Sequence, residues 1–178
     1  MKSHNLIHDL ITQTDLIKSE GIKLNALAIE KLNMRHSENA WSILECVAHM
    51  NLYGDYYLPA MASAIQNAKD CENETFRSGW LGNYFANSML PKDNLNKMKT
   101  FKDKDPIGKN LEVSEIKKFI EQQTKLLELL KKAESVSLNN TKVSTSISKW
   151  IKMNLGDTFR FFINHNLRHL KQISDILS

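Results

Sequence analysis

Gly156-Asp157-Thr158-Phe159-Arg160-Phe161-Phe162-Ile163-Asn164-His165-Asn166-Leu167-Arg168-His169-Leu170-Lys171-Gln172-Ile173 carries the spacing that sets the fold. At about 100° per residue, Phe159, Phe162, Ile163, Leu170, Ile173 and Leu177 fall on one side, and Phe161, His165, His169 and Gln172 form a stripe beside them. The period is helical, and both histidines border the apolar side. Gly156-Asp157-Thr158 predicts the start of this helix, with Asp157 placed to satisfy free amide donors at the positive end of the dipole.

Three further long patterns share that period. Ser42 to about Gln66 carries Ile43, Val47, Met50, Met61 and Ile65; Trp41-Ser42 supplies a cap, and Pro59 predicts a kink or an end. Val113 to Lys132 carries Ile116, Phe119, Ile120, Leu127 and Leu130. Near the start, Leu6, Leu10, Ile17, Leu24 and Ala28 keep the spacing with one turn skipped near Gln13, and Gly21 is the weak point. Trp80, Tyr84, Phe85, Met89 and Leu90 predict a short helix ending at Pro91. Ser135 to Ser148, rich in Ser, Thr and Asn, reads as a connection with extended backbone. The expected fold is all-α, a four-helix bundle with two long connections, in a single domain over 1–178. The short connection, Asn33 to Trp41, would make the first two long helices antiparallel neighbours.

Composition agrees with one core. The chain has 178 residues, 42% hydrophobic and 25% charged, with three prolines and six glycines, which excludes collagen-like, disordered and turn-dense all-β classes. No apolar run approaches the roughly 18 residues needed to span a bilayer, and Met1 to Asn5 lacks a secretory layout, so the expected compartment is the cytoplasm, with no membrane partner. Cys46 and Cys71 are too few for a disulfide framework and read as reduced thiols. The net charge of +4 lies wholly between Lys92 and Lys132, where eleven lysines face seven acidic residues against thirteen of each elsewhere. Lys102-Asp103-Lys104-Asp105 alternates in sign and has no interleaved aromatics to stack bases, so no specific nucleic-acid binding is expected.

His165 and His169, one turn apart, can turn both imidazoles onto one ion. Six histidines give roughly 0.2 such pairs by chance, and His4 with His8 is a second instance, so the spacing alone proves little. His49, in the second long helix, is the third candidate; Glu45, Cys46, Leu52, Tyr53 and Tyr56 share its face. Facing helices can bring the three imidazoles to one point, and three protein ligands leave a coordination position open. The competing reading makes His49 an ordinary interior-edge residue hydrogen-bonded to Glu45.

Trp41 to Pro59 and Gly156 to Ile173 resemble the DinB and YfiT-like superfamily of small four-helix proteins. The matching features are Trp-Ser-x-x-Glu-x-x-x-His, ending at His49, and His-x-x-x-His-x-x-Gln, from His165 to Gln172. The resemblance implies that His49, His165 and His169 bind a divalent metal, zinc or nickel, in a cleft between helices, and that the chain is a homodimer. Some relatives are thiol-dependent transferases or isomerases. The expected function is therefore metal-dependent S-transfer or hydrolysis on a small-molecule substrate, with a low-molecular-weight thiol as a second cofactor. Glu45 would orient His49 or move protons, Tyr53 or Tyr56 would donate a hydrogen bond to substrate, and Arg168 would meet an anionic group. The rival expectation is a non-catalytic dimeric bundle whose metal is structural or absent.

Overall fold

The computed structural model describes residues 1–71, 74–91 and 100–178, so Lys92, Lys97 and Lys99 of the basic segment lie outside the described residues. Helix α1 (Ser3–Asn25) buries Leu6, Ile7, Leu10, Ile17 and Leu24. The turn its apolar pattern skips is filled by Thr14, wholly buried because its hydroxyl donates to the Leu10 carbonyl at 2.7 Å. Gly21 is a contact point: a Cβ there would stand 3.0 Å from the Phe119 ring of helix α5 (Ser114–Lys132), so glycine lets the two helices close up.

A short helix α2 (Ile29–Leu32) precedes α3 (Ile43–Gln66). The start of α3 is a reciprocal cap in which the Ser42 hydroxyl accepts from the Glu45 N–H at 3.2 Å and the Glu45 carboxylate accepts from the Ser42 N–H at 2.7 Å. Pro59 lies inside α3, which continues past it to Gln66. Helix α4 (Trp80–Ser88) follows, and after α5 the chain makes a hairpin of β1 (Lys142–Ser144) and β2 (Lys152–Asn154) that leads directly into α6 (Leu155–Leu177).

The chain is mostly helical, as expected, and the connection expected to run extended forms this small hairpin. Val143 pairs with Met153 and both are buried, so the connection contributes to the core as a two-stranded sheet. Tyr56 ties it to α3 by donating to the Thr145 carbonyl at 2.7 Å. The expected pairing of the first two long helices is corrected. Helices α1 and α3 each pack chiefly on α5 and α6, because the connection from Ala26 to Ser42, carrying α2, is long enough to pass between non-adjacent positions. One apolar cluster links all four long helices.

Two details of α6 differ from the sequence pattern. Leu177 is exposed, and Ile176 beside it takes the buried position in that last turn. Asp157 does not cap its own helix, which begins two residues earlier. Wholly buried, its carboxylate accepts from the Gly79 N–H at 2.8 Å and from the Ser78 hydroxyl, and pairs with Arg160 at 3.1 Å. It therefore holds the start of α4 against α6. Among the described residues no helix is long and apolar enough to cross a membrane.

Candidate metal centre

Helix α3 presents His49 about two turns beyond its Ser42 cap, and α6 presents His165 and His169 one turn apart on the side that faces α3. Each side chain offers a ligand nitrogen within 4.8 Å of the other two, and the residues are only 3%, 3% and 8% exposed. The structure thus brings together the three histidines expected from the sequence. His4 and His8, with the same spacing, are exposed on α1 and take no part.

Hydrogen bonds assign the protons. The Lys104 carbonyl can only accept, so His49 Nδ1 is the protonated nitrogen, donating at 2.8 Å and leaving Nε2 bare. His169 Nδ1 likewise donates to Gln172 Oε1 at 3.1 Å. His165 Nε2 lies 3.2 Å from His49 Nε2, while His165 Nδ1 is buried with no hydrogen-bond partner among the described residues. Two nitrogens bound to one tetrahedral ion at 2.0–2.1 Å stand about 3.3 Å apart, so the His49–His165 spacing fits a shared cation. An unsatisfied buried imidazole nitrogen is costly in a neutral cluster, and imidazole suits zinc and nickel. The donor set fits a metal ion.

Electrostatics favours the ligating form. Burial pushes the His49 pKa down to about 4 against the partial offset of the Lys104 hydrogen bond, and takes His169 down to about 3. His165 is held well below the usual range, first by burial and then by the positive charge its two neighbours would carry. All three are neutral near pH 7.

Aromatic rings wall the cluster. Trp41 lies 4.5 Å from His49 on one side, and Tyr53 stacks on His165 at 4.3 Å on the other. Phe161 sits behind His165 at 6.2 Å. Tyr53 is the tyrosine at the site, and its hydroxyl has no hydrogen-bond partner among the described residues; Tyr56 is engaged by the hairpin through Thr145 and Ser144. Glu45 makes no bond to His49. Its oxygens accept from Ser42, Gly108 and the Arg35 guanidinium. Cys46 is wholly buried in the core, its thiol pushed up to about 12 by burial, so it packs and does not react. Arg168, expected to meet an anionic group, is buried beside the cluster, and its charge helps hold His165 and His169 neutral.

A family model of the DinB superfamily matches residues 23–173, from the end of α1 through nearly all of α6, and so takes in all three histidines. The chain belongs to the DinB superfamily. Neither a curated protein nor a solved structure matches it. Within this DinB-superfamily chain the sequence pattern pointed to the histidines and Gln172, but not to the Lys104 carbonyl or Asp105, which sit in a run of alternating charge with no residue-type signal.

The lowered histidine pKa values have a measurable consequence for metal-free protein. As pH falls through 6.5 the unfolded chain takes up protons that the folded chain refuses, so stability is full above 6.5 and is lost toward pH 4. At pH 5.5 each histidine contributes a loss of about 1.4 kcal/mol, or ~4 kcal/mol for the three. Chelator-treated protein is expected to melt about 10 °C lower at pH 5.5 than at pH 7.5, checked by circular dichroism. A Tm constant over that range would show that the imidazoles protonate freely in the folded state.

Proposed function

We propose that this DinB-superfamily chain is a divalent-metal-dependent enzyme acting on a small molecule, by thiol-dependent S-transfer or by hydrolysis. Its architecture is read as a single-domain four-helix bundle that forms a homodimer. The observation that carries the reading is the convergence of His49, His165 and His169 with the protons of two of them fixed on Nδ1.

His49, His165 and His169 would hold the ion, zinc or nickel, leaving a position for an exogenous ligand. A cation held there supplies Lewis acidity that makes a water or a low-molecular-weight thiol nucleophilic near neutral pH. The chain's own groups do the rest. The Lys104 carbonyl and Gln172 hold two rings with their Nε2 lone pairs inward. Trp41 and Tyr53 exclude bulk water from the cluster. Burial pushes the Tyr53 hydroxyl up to about 12, so it stays protonated and can donate to a polar atom of the substrate.

One observation favours the rival reading of a non-catalytic dimer with a structural metal, namely the low exposure of all three rings. Two measurements separate them. Untagged protein from cells supplied with zinc and nickel is expected to carry about one equivalent of metal per chain; less than about a tenth overturns the enzyme reading. The cobalt-substituted protein is expected to change its visible spectrum saturably on addition of 2-mercaptoethanol, whereas an unchanged spectrum with cobalt retained supports the structural metal.

A further inference from the structure

The segment from Lys102 to Gly108 lies across the start of α3, held by a set of directed bonds. The Trp41 indole N–H donates to Asp105 Oδ1 at 3.0 Å, and the same oxygen accepts from the Ile107 N–H at 3.1 Å, closing the turn on itself. The Gly108 N–H donates to Glu45 Oε1 at 2.9 Å. Gly108 adopts φ +71° with nothing within 4 Å of where a Cβ would be, so glycine is needed there for conformation and not for room. Glu45 is itself fixed, 3% exposed, by the Ser42 N–H at 2.7 Å and by Arg35 at 3.3 Å. Immediately before the first of these anchors, in the peptide that joins Lys104 to Asp105, stands the Lys104 carbonyl, the acceptor for His49 Nδ1.

A neutral imidazole carries one proton, and which nitrogen bears it is set by the partner of the other. The Lys104 carbonyl therefore determines that His49 turns a bare Nε2 toward His165. A carbonyl on an exposed turn keeps that position only if the turn is tied down. We infer that Asp105 and Glu45 are positioning residues: they strap the Lys102–Gly108 turn to α3 and through its carbonyl select the His49 tautomer that can ligate. The link to affinity rests on the three-histidine metal reading; the link to the tautomer stands without it.

The test uses the full chain with Asp105→Ala, Asp105→Asn and Glu45→Gln. The His49 tautomer is read in chelator-treated protein from long-range imidazole ¹⁵N couplings, and the zinc Kd by competition with a chelating dye. Asp105→Ala, which leaves α3 untouched, is expected to lower the Nδ1–H population and weaken zinc binding about 10-fold. Glu45→Gln is expected to move both readouts in the same direction. Asp105→Asn keeps an acceptor oxygen but no charge, and both readouts should stay within about twofold of wild type. If Asp105→Asn behaves like Asp105→Ala, the carboxylate acts by charge and the strap is overturned. It is also overturned if the tautomer in Asp105→Ala matches wild type, or if both Asp105→Ala and Glu45→Gln bind zinc as wild type does. Should wild type bind no zinc, the metal reading fails, and the tautomer alone still decides the strap.

Discussion

Replacing His165 with alanine is expected to take the metal content of the purified chain from about one equivalent to less than a tenth. His165 is the member of the cluster with the fewest alternative partners. His49 and His169 each have a fixed acceptor for one nitrogen, whereas His165 faces His49 at 3.2 Å and leaves Nδ1 with none among the described residues. Its removal leaves two imidazoles, fewer protein ligands than either structural or catalytic zinc sites have. Among the described residues the nearby acids and thiol are already engaged: Glu45 is bound to Ser42, Gly108 and Arg35, Asp105 accepts from the Trp41 indole and the Ile107 N–H, and Cys46 is in the core. The control is His8→Ala, which breaks the same spacing on the exposed face of α1 and should leave metal content unchanged. Elemental analysis of the two variants beside wild type, with helical content checked by circular dichroism, decides the matter. Retention of a full equivalent by folded His165→Ala would remove the ion from this site.

The histidine cluster was legible because its three members carry a residue-type signal and each sits on a helix whose period places it at the edge of an apolar stripe. What surrounds them was less so. Tyr53 and Tyr56 lie three residues apart on one face, and the wheel could not separate a ring stacked on His165 from one whose hydroxyl reaches the hairpin at Thr145. Depth along the helix and the presence of the hairpin separate them, and both are tertiary facts. Lys104 acts through its carbonyl, which every residue possesses, so no pattern marks it. Asp105 stands in a run that reads as a solvated loop, and only the indole of Trp41 shows it to be anchored.

The fold divides similarly. Helix periods gave α3, α5 and α6 nearly to their ends, since those segments bury one side and the apolar positions report it. Thr14 was passed over as a gap, because a threonine interior to a helix becomes apolar on the outside only once its hydroxyl bonds back to Leu10. Neighbour relations were not in the pattern at all. An amphipathic stripe says that a helix has a partner, and the path of the connection decides which one; the path through α2 sent α1 to α5 and α6.

Asp157 leads to the second large effect. Asp157→Ala is expected to destabilise the chain by about 3 kcal/mol and lower Tm by about 10 °C, because removing one partner of a buried pair strands the others. The carboxylate is wholly buried, accepts from Gly79 and Ser78 at the start of α4, and pairs with Arg160, which also reaches Asn83 at 3.3 Å. Without it the N–H of Gly79, the residue that caps α4, and the Ser78 hydroxyl lose their acceptor, and the guanidinium loses its counter-charge. Close packing magnifies the effect: a Cβ at Gly82 would stand 2.5 Å from that of Asp157, so α4 rests directly on this side chain. Asp157→Asn keeps one acceptor but turns an amide toward donors, and should fall between alanine and wild type. The loss should be local first. Hydrogen exchange is expected to quicken along α4 while α5, which does not pack on Asp157, keeps its protection. Metal content should be unchanged, since His165 and His169 lie two turns and more further along α6 and are held from α3 and from Gln172. A Tm within about 2 °C of wild type would mean that α4 is held by its apolar contacts with α6 and that the buried carboxylate contributes almost nothing net.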